Sequence, residues 1–540
     1  MSTTKADHTQ VTQQPPVPPH RAWALLVLCV SLLIVTLDNT ILNVALPTLV
    51  RDLHATSSQL QWVVDGYALV FGGLLLVAGS LADRYGRKRA VLLGLCLFAV
   101  ASAWAAWSSS VHTLIAARAS MGVGAALIMP ATLSIITDMF REPAARQRAI
   151  GAWAATSGLG IAIGPIAAGL LLAHFWWGSV FLVNVPIAAL GFACALLLVP
   201  DSRNPVPRRA DPVGAALSIA GLGLLLWAII EAPTDGWGSG RVLGAGLGGL
   251  VVLALFVVWE NASSHPMLSL SFFRSRRFSV ATSAAGLNTF ALFGAMFVLT
   301  QFLQFTLGYS ALAAGVRILP VASVLAVAAP ASAQLVRLIG TKLVVAAGLT
   351  AVAGGLWQLS TATTNSSYGD VLPGMILLGL GAGLVMPATA ESVMGSLPPG
   401  RTGVGAATNG TSLQVGGALG VAVVGSLLNT RYQDQISTAL APYHLPGDVT
   451  ATVHGSIGGA LEVAARLGGE AGHLLTAAAR SAFMDGMHLG LLTAAGVAAA
   501  GILLTAIALP ARPPEKQTPA STDQHTLASP AQAPEDHTED

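Results

Sequence analysis

The run Gly122-Val-Gly-Ala-Ala-Leu-Ile-Met-Pro-Ala-Thr-Leu133 returns 257 residues later as Gly379-Leu-Gly-Ala-Gly-Leu-Val-Met-Pro-Ala-Thr-Ala390, with eight of twelve positions identical. Both copies lie in apolar runs long enough to cross a bilayer, which takes about 20 such residues. A duplication at this separation implies two structurally equivalent units in parallel. Parallel repeats within a membrane bundle are a mark of transporters that rock two halves about a site at mid-membrane.

Outward from the repeat, apolar runs of spanning length fall at 22–46, 58–81, 90–108, 112–137, 148–173, 179–199, 213–231, 242–259, 279–303, 313–333, 343–362, 370–394, 408–429 and 485–509. They are continuously apolar, whereas the strands of a membrane barrel alternate over about 10 residues, so an all-α polytopic bundle of fourteen helices is expected. Because the fourth and twelfth runs are equivalent, two six-helix halves (22–199 and 279–509) should flank an inserted pair of helices within 200–278. Residues 430–484 are left as an external loop carrying a weakly amphipathic stretch. The polar ends, 1–21 and 510–540, should be tails, the second of them disordered because it is too polar to bury a core.

Composition agrees: 27 basic and 25 acidic residues among 540 leave only 10% charged and a net charge of +2, against about 25% charged in soluble domains. So small a net charge excludes a nucleic-acid partner. Cys29, Cys96 and Cys194 each sit in an apolar run without metal or redox spacing, and are read as spacer thiols. Placing both termini in the cytoplasm puts 20 of the 27 Lys and Arg inside, as the positive-inside rule requires.

Between the second and third runs stands Gly79-Ser80-Leu81-Ala82-Asp83-Arg84-Tyr85-Gly86-Arg87-Lys88-Arg89. Gly79 and Gly86 allow close helix approach and a tight turn. Asp83 is placed to accept from an Arg or a helix N-terminus. The second-half counterpart, 334–342, lacks the acid, so a latch built here should be asymmetric. Three charged residues stand well inside runs, Asp38, Asp65 and Arg118, while Glu391 lies near the inner end of the twelfth. At 1.5 Å per residue all three fall roughly 9–12 Å from the outer surface, one shared layer. A charge there costs about 2.5–3.5 kcal/mol on insertion scales, which marks all three as functional candidates. Glu231 and Asp485 sit near run ends and read as interfacial.

The loop string closely resembles the signature of the major facilitator superfamily. Further strings resemble its fourteen-span drug:proton antiporter branch, the QacA/EmrB-like transporters: 37–47 in the first run, Leu114–Arg118 in the fourth, and Gly160-Ile161-Ala162-Ile163-Gly164-Pro165-Ile166-Ala167-Ala168-Gly169 in the fifth. Met121 and Ala168 depart from the usual Gln and Gly. The resemblance implies a gating loop at Gly79, Asp83, Arg84, Gly86, Arg87 and Lys88. It implies an antiport element at Gly160, Gly164, Pro165 and Gly169, and an embedded arginine, Arg118, that assists proton transfer. On this reading at least one of Asp38 and Asp65 carries the coupling proton. Asp65 amid Trp62, Tyr67, Phe297, Phe302 and Phe305 would suit a lipophilic cation, with Asn43, Gln301 and Gln304 as polar partners. The tenth and thirteenth runs carry no acid, which favours monovalent or neutral compounds.

None of the four lysines completes a phosphate-binding loop, and no nucleophile, metal or paired-acid motif of an enzyme is present. The expectation is therefore a monomeric multi-pass exporter in the plasma membrane that needs no cofactor or metal. It would be driven by the proton-motive force and would move drugs or toxic compounds. The rivals are a dedicated exporter of one endogenous metabolite, antibiotic or lipid, and a proton symporter for uptake.

Overall fold

The computed structural model describes residues 20–140, 142–203, 210–397, 402–441 and 446–509. The tails 1–19 and 510–540 lie outside them, as do Arg141, Arg208, Arg209 and Arg401, four of the 20 basic residues expected on the cytoplasmic side. Among the described residues fourteen helices are long and apolar enough to cross a membrane. In chain order these are α1 (Arg21–Leu53), α2 (Ser57–Tyr85), α3 (Arg87–Ala106), α4 (Val111–Met139), α5 (Pro143–His174), α6 (Ser179–Leu198), α7 (Pro212–Asp235), α8 (Gly240–Ala262), α9 (Arg276–Thr306), α10 (Ala311–Ile339), α11 (Thr341–Ser360), α12 (Tyr368–Gly395), α13 (Thr402–Leu440) and α16 (Gly469–Ala508). Two short helices, α14 (Gly447–Gly455) and α15 (Ile457–Leu467), precede α16.

The duplication is visible in the packing. Gly122 of α4 faces the backbone of Tyr67 and Phe71 on α2, and Gly379 of α12 faces Val321 on α10. Two residues on, Gly124 meets Gly94 and Phe98 of α3, while Gly381 meets Gly348 and Val352 of α11. A Cβ at any of these positions would press on a neighbouring backbone, so glycine is what lets the helices approach. Helix starts repeat as well: capping boxes at Ser110 before α4 and Ser367 before α12 stand at the same 257-residue offset. The turns α2–α3 and α10–α11 each use a glycine at positive φ, Gly86 at 113° and Gly340 at 86°.

The halves meet along two seams, α2 against α13 and α5 against α10. Helix α7 lies over the first of these, touching α2 and α13, and α8 packs on its outer side. Pro233 removes the amide that would bond the carbonyl of Ile229 one turn back. That carbonyl instead accepts from Ser426 of α13, and the carbonyl of Ile230 accepts from Ser58 of α2 at 3.2 Å. The inserted pair is thus stitched across the seam. Leu197 is 84% and Ile507 83% exposed, which fits a surface solvated by lipid tails. Of the cysteines only Cys29 is buried.

Among its described residues the region 430–484, expected as a loop, is almost wholly helical. Helix α13 runs on to Leu440 and α16 begins at Gly469, with α14 and α15 folded between. Gly458 of α15 seats against Val50 of α1 and Phe305 of α9, and Tyr432 Oη donates to Val453 O at 2.8 Å. This end of the bundle, the cap end, is where α14 packs on α13 and α15 packs across α1 and α9. At the opposite end, which carries the Asp83–Arg87 loop, 151–159 of α5 and 323–339 of α10 are largely exposed.

Candidate functional site

Asp38 and Arg118 are both fully buried and form an ion pair. The other carboxylate oxygen of Asp38 accepts from Asn184 Nδ2 of α6 at 3.0 Å. Arg118 Nε donates to Val63 O of α2 at 3.1 Å, its guanidinium stands 4.4 Å from the Tyr67 ring centre, and Nη1 reaches Met121 Sδ at 3.9 Å. Four helices of the first half thus converge on one pair. Satisfied lone pairs and a stacked ring are what make such a pair tolerable away from water.

Asp65 is placed differently. It is fully buried, and neither carboxylate oxygen has a hydrogen-bond partner. Its position on α2 shows what it faces. Gln61, Ala68, Gly72 and Leu75 are turned to α13, where Gln61 meets Gly425, Ala68 packs with Ala418 and Ala422, Gly72 meets Gln414, and Leu75 meets Gly410. At heptad spacing Asp65 belongs to that stripe. The three ionisable residues therefore do not form one bonded network: Asp38 and Arg118 sit inside the first half, and Asp65 lies on the seam between halves.

A cleft opens between the halves at mid-bundle, lined by Thr40, Asn43, Pro165, Phe293, Met296 and Ile318 among others. Its wall is apolar apart from Thr40 and Asn43, as suits a lipophilic guest. Of the residues expected to touch substrate, Asn43 lines this cleft. Tyr67 is stacked under Arg118, and Phe297 packs by Gly425. Gln301 bonds its own helix at Phe297 O (3.1 Å), and Gln304 Nε2 spans the halves to Val44 O at 2.9 Å. Gln304, Phe302 and Phe305 belong to a π-helical turn, 302–306, a feature frequent at functional sites. Trp62 is elsewhere: its indole N–H donates to Glu231 of α7 at 3.1 Å.

The glycines of α5 do not form a single small-residue face. Gly160 and Gly164 pack on Thr36 and Thr40 of α1, and Thr40 Oγ1 donates to Gly160 O at 3.1 Å. Pro165 and Gly169 turn to α10, meeting Gly315 and Leu312 across the seam. Helix α13 repeats the arrangement, with Gly416 and Gly420 against α9 and Gly425 against Gln61 of α2. That second set escapes a motif reading because it lacks the proline, yet its spacing copies 160, 164 and 169 at an offset of 256.

In the loop after α2, Arg87 Nε donates to Asp83 at 2.7 Å, and Nη1 pairs with Asp138 at the end of α4. Ser202 after α6 donates to Asp138 at 2.5 Å and accepts from Arg87 Nη1 at 3.1 Å. Lys88 Nζ donates to Leu196 O at 2.9 Å, Arg84 lies over the neighbouring Tyr85 ring, and Gly79 packs on Pro130. The cluster ties four elements of the first half together. Asp138, Ser202 and Asn184 are partners that loop and span patterns do not reveal. Arg337 and Lys342, in the second-half counterpart, form no ion pair among the described residues.

Comparison with known proteins fits this geometry. The family model described as Major Facilitator Superfamily matches residues 28–421. The chain is 37% identical to the multidrug efflux pump LfrA of Mycolicibacterium smegmatis, covering 87% of this chain and 92% of that protein. It is 34% identical to the tetracenomycin C resistance and export protein of Streptomyces glaucescens, covering 93% and 95%. A solved bacterial homologue of the human lysosomal transporter Spinster, inward-facing and occupied, superposes with a TM-score of 0.64 at 18% identity, covering 92% of this chain and 98% of that one. The chain belongs to the Major Facilitator Superfamily and is a multi-pass membrane transporter.

Proposed function

We propose that the chain is a drug:proton antiporter of the plasma membrane. It takes lipophilic, monovalent cationic or neutral compounds into the cleft between α1, α5, α9 and α10 and releases them outside by alternating access. The Asp83–Arg87 end faces the cytoplasm, both termini lie inside, and a single chain is the working unit. The observation that carries the reading is Asp65, a fully buried carboxyl on the α2–α13 seam with no partner on either oxygen. An ionised carboxylate left so is costly, whereas the neutral acid is tolerated. Movement of α2 against α13 brings water to the group, which links its proton to the geometry of the seam. Asp38, already held by Arg118 and Asn184, braces the first half while this happens. An inward proton is worth about 2.3 kcal/mol per 100 mV of membrane potential, which offsets the export of drug against its gradient.

The relatives named for multidrug efflux and for tetracenomycin C resistance and export support export. The second of these names a single compound, which keeps a dedicated exporter as the other reading. Reconstituted protein with an imposed pH gradient tests the mechanism on a panel of cationic, neutral and anionic compounds. Movement independent of the gradient would refute antiport. Resistance of a pump-deleted host to one compound instead of many would select the dedicated exporter.

A further inference from the structure

A vestibule at the cap end, apart from the cleft, is walled by α2, α4, α7, α13 and α14. It is where Trp62 points. The carboxylate that meets this indole is Glu231 of the inserted helix α7: Trp62 Nε1 donates to Oε1 at 3.1 Å, which fixes the ring beside the acid. Glu231 Oε2 has no hydrogen bond among the described residues, so a negatively charged edge stays free beside an aromatic face. Asn429 of α13 also lines the space; it is 2% exposed, and its Oδ1 has no partner. Among the described lining residues there is no Lys or Arg and no second carboxylate. His112 and His454 add positive charge only when protonated.

A carboxylate beside an indole ring and an unsatisfied carbonyl, with no fixed cation to neutralise them, matches one ligand chemistry. We infer that this vestibule is a second binding site, for a monovalent lipophilic organic cation, with Glu231 as counter-ion, Trp62 as aromatic wall and Asn429 Oδ1 as an additional dipole. Helix α7 brings the acid and α2 and α13 bring the rest, so the site depends on the inserted helix lying over the seam, where Leu226 and Ile230 pack and Ser58 and Ser426 hydrogen-bond its carbonyls. Binding here needs neither a proton gradient nor Asp65.

The test uses the full chain with Cys29, Cys96 and Cys194 replaced by alanine and Thr234→Cys added, since Thr234 is exposed and lines the vestibule. Maleimide labelling is timed in choline-free detergent at pH 8, with tetraphenylphosphonium as probe and tetraphenylborate as its isosteric anion. The cation should slow labelling and the anion should not. Glu231→Gln keeps the acceptor for Trp62 and should label at the parental rate without ligand, while raising the half-protecting concentration about tenfold. Glu231→Asp should retain most of the protection. The inference is overturned if the cation gives no protection, if the anion protects equally, or if protection is unchanged by Glu231→Gln but lost in Asp65→Asn. Failure of proton-driven export in liposomes would leave all these outcomes as they are, so the two readings fail separately.

Discussion

In the first half Gly160 and Gly164 of α5 rest on Thr36 and Thr40 of α1; in the second, Gly416 and Gly420 of α13 rest on Gly286 and Phe290 of α9. That registers α1 on α9 at an offset of 250 residues and sets Asn288 at the place of Asp38. The glycine turns and the Gly122 and Gly379 contacts register the neighbouring helices at 254 and 257. Met375 then stands for Arg118, Leu319 for Asp65, Arg337 for Asp83 and Gly395 for Asp138. The backbone packing has been kept in duplicate, while among the described residues every ion pair of the machinery is confined to one copy. Asn288 shows the contrast most sharply: it is fully buried and neither side-chain polar atom has a partner. Close helix approach is therefore a requirement of the scaffold, and ion pairing within the machinery is a property of the first half.

The largest expected effect comes from making the first half resemble the second one residue at a time. Arg118→Met leaves Asp38 buried without its counter-ion, and should lower stability by about 3–5 kcal/mol in thermal unfolding of the purified protein. Asp38→Asn combined with Arg118→Met copies the Asn288 and Met375 pair and should recover most of that loss without restoring proton-driven export. A double variant that exports normally would show that the asymmetry is incidental. Next in size are the shared glycines. A Cβ at Gly420 meets the backbone of Phe290, whereas one at Gly164 meets the side chain of Thr40. Both alanine variants should destabilise, by about 1–3 kcal/mol; Gly420→Ala should cost more, and Gly164→Ala should be partly rescued by Thr40→Ala.

The latch gives a smaller contrast. Asp83→Asn should slow export about tenfold, an effect of about 1.4 kcal/mol, while Arg337→Ala at the matching site should change initial rates less than about twofold. Equal losses would mean the second-half loop also latches. Smallest is Ser426→Ala, which frees the Ile229 carbonyl and should cost about 1 kcal/mol in unfolding. A larger fall would show that α7 supports the seam more heavily than one hydrogen bond allows.

How far these features can be read from residues alone depends on which force sets each one. The fourteen helices are legible because lipid demands about 20 apolar residues per crossing, and the two halves because the Met-Pro-Ala-Thr run returns at a fixed offset. Depth arithmetic places Asp38, Asp65 and Arg118 in one layer, but depth carries no direction around a helix. Only the contacts of Gln61 and Gly72 with α13 show that Asp65 faces the seam. Sequence alone groups Trp62 with the aromatic residues around Asp65, whereas its partner Glu231 is set by α7, whose position over α2 no periodicity encodes. The helical cap escapes a reading of apolar runs because polar residues such as Arg431, Asp434, Glu470 and Arg480 interrupt them at 429 and 485, while the helices extend to Leu440 and begin at Gly469.

The central claim, that proton and drug are coupled through the unpartnered carboxyl on the α2–α13 seam, is tested most directly in proteoliposomes. Uphill movement of tetraphenylphosphonium is followed under an imposed pH gradient for the wild type and Asp65→Asn. The variant should let the cation reach equilibrium yet fail to concentrate it when the gradient is applied. Undiminished gradient-driven accumulation by Asp65→Asn would contradict the claim.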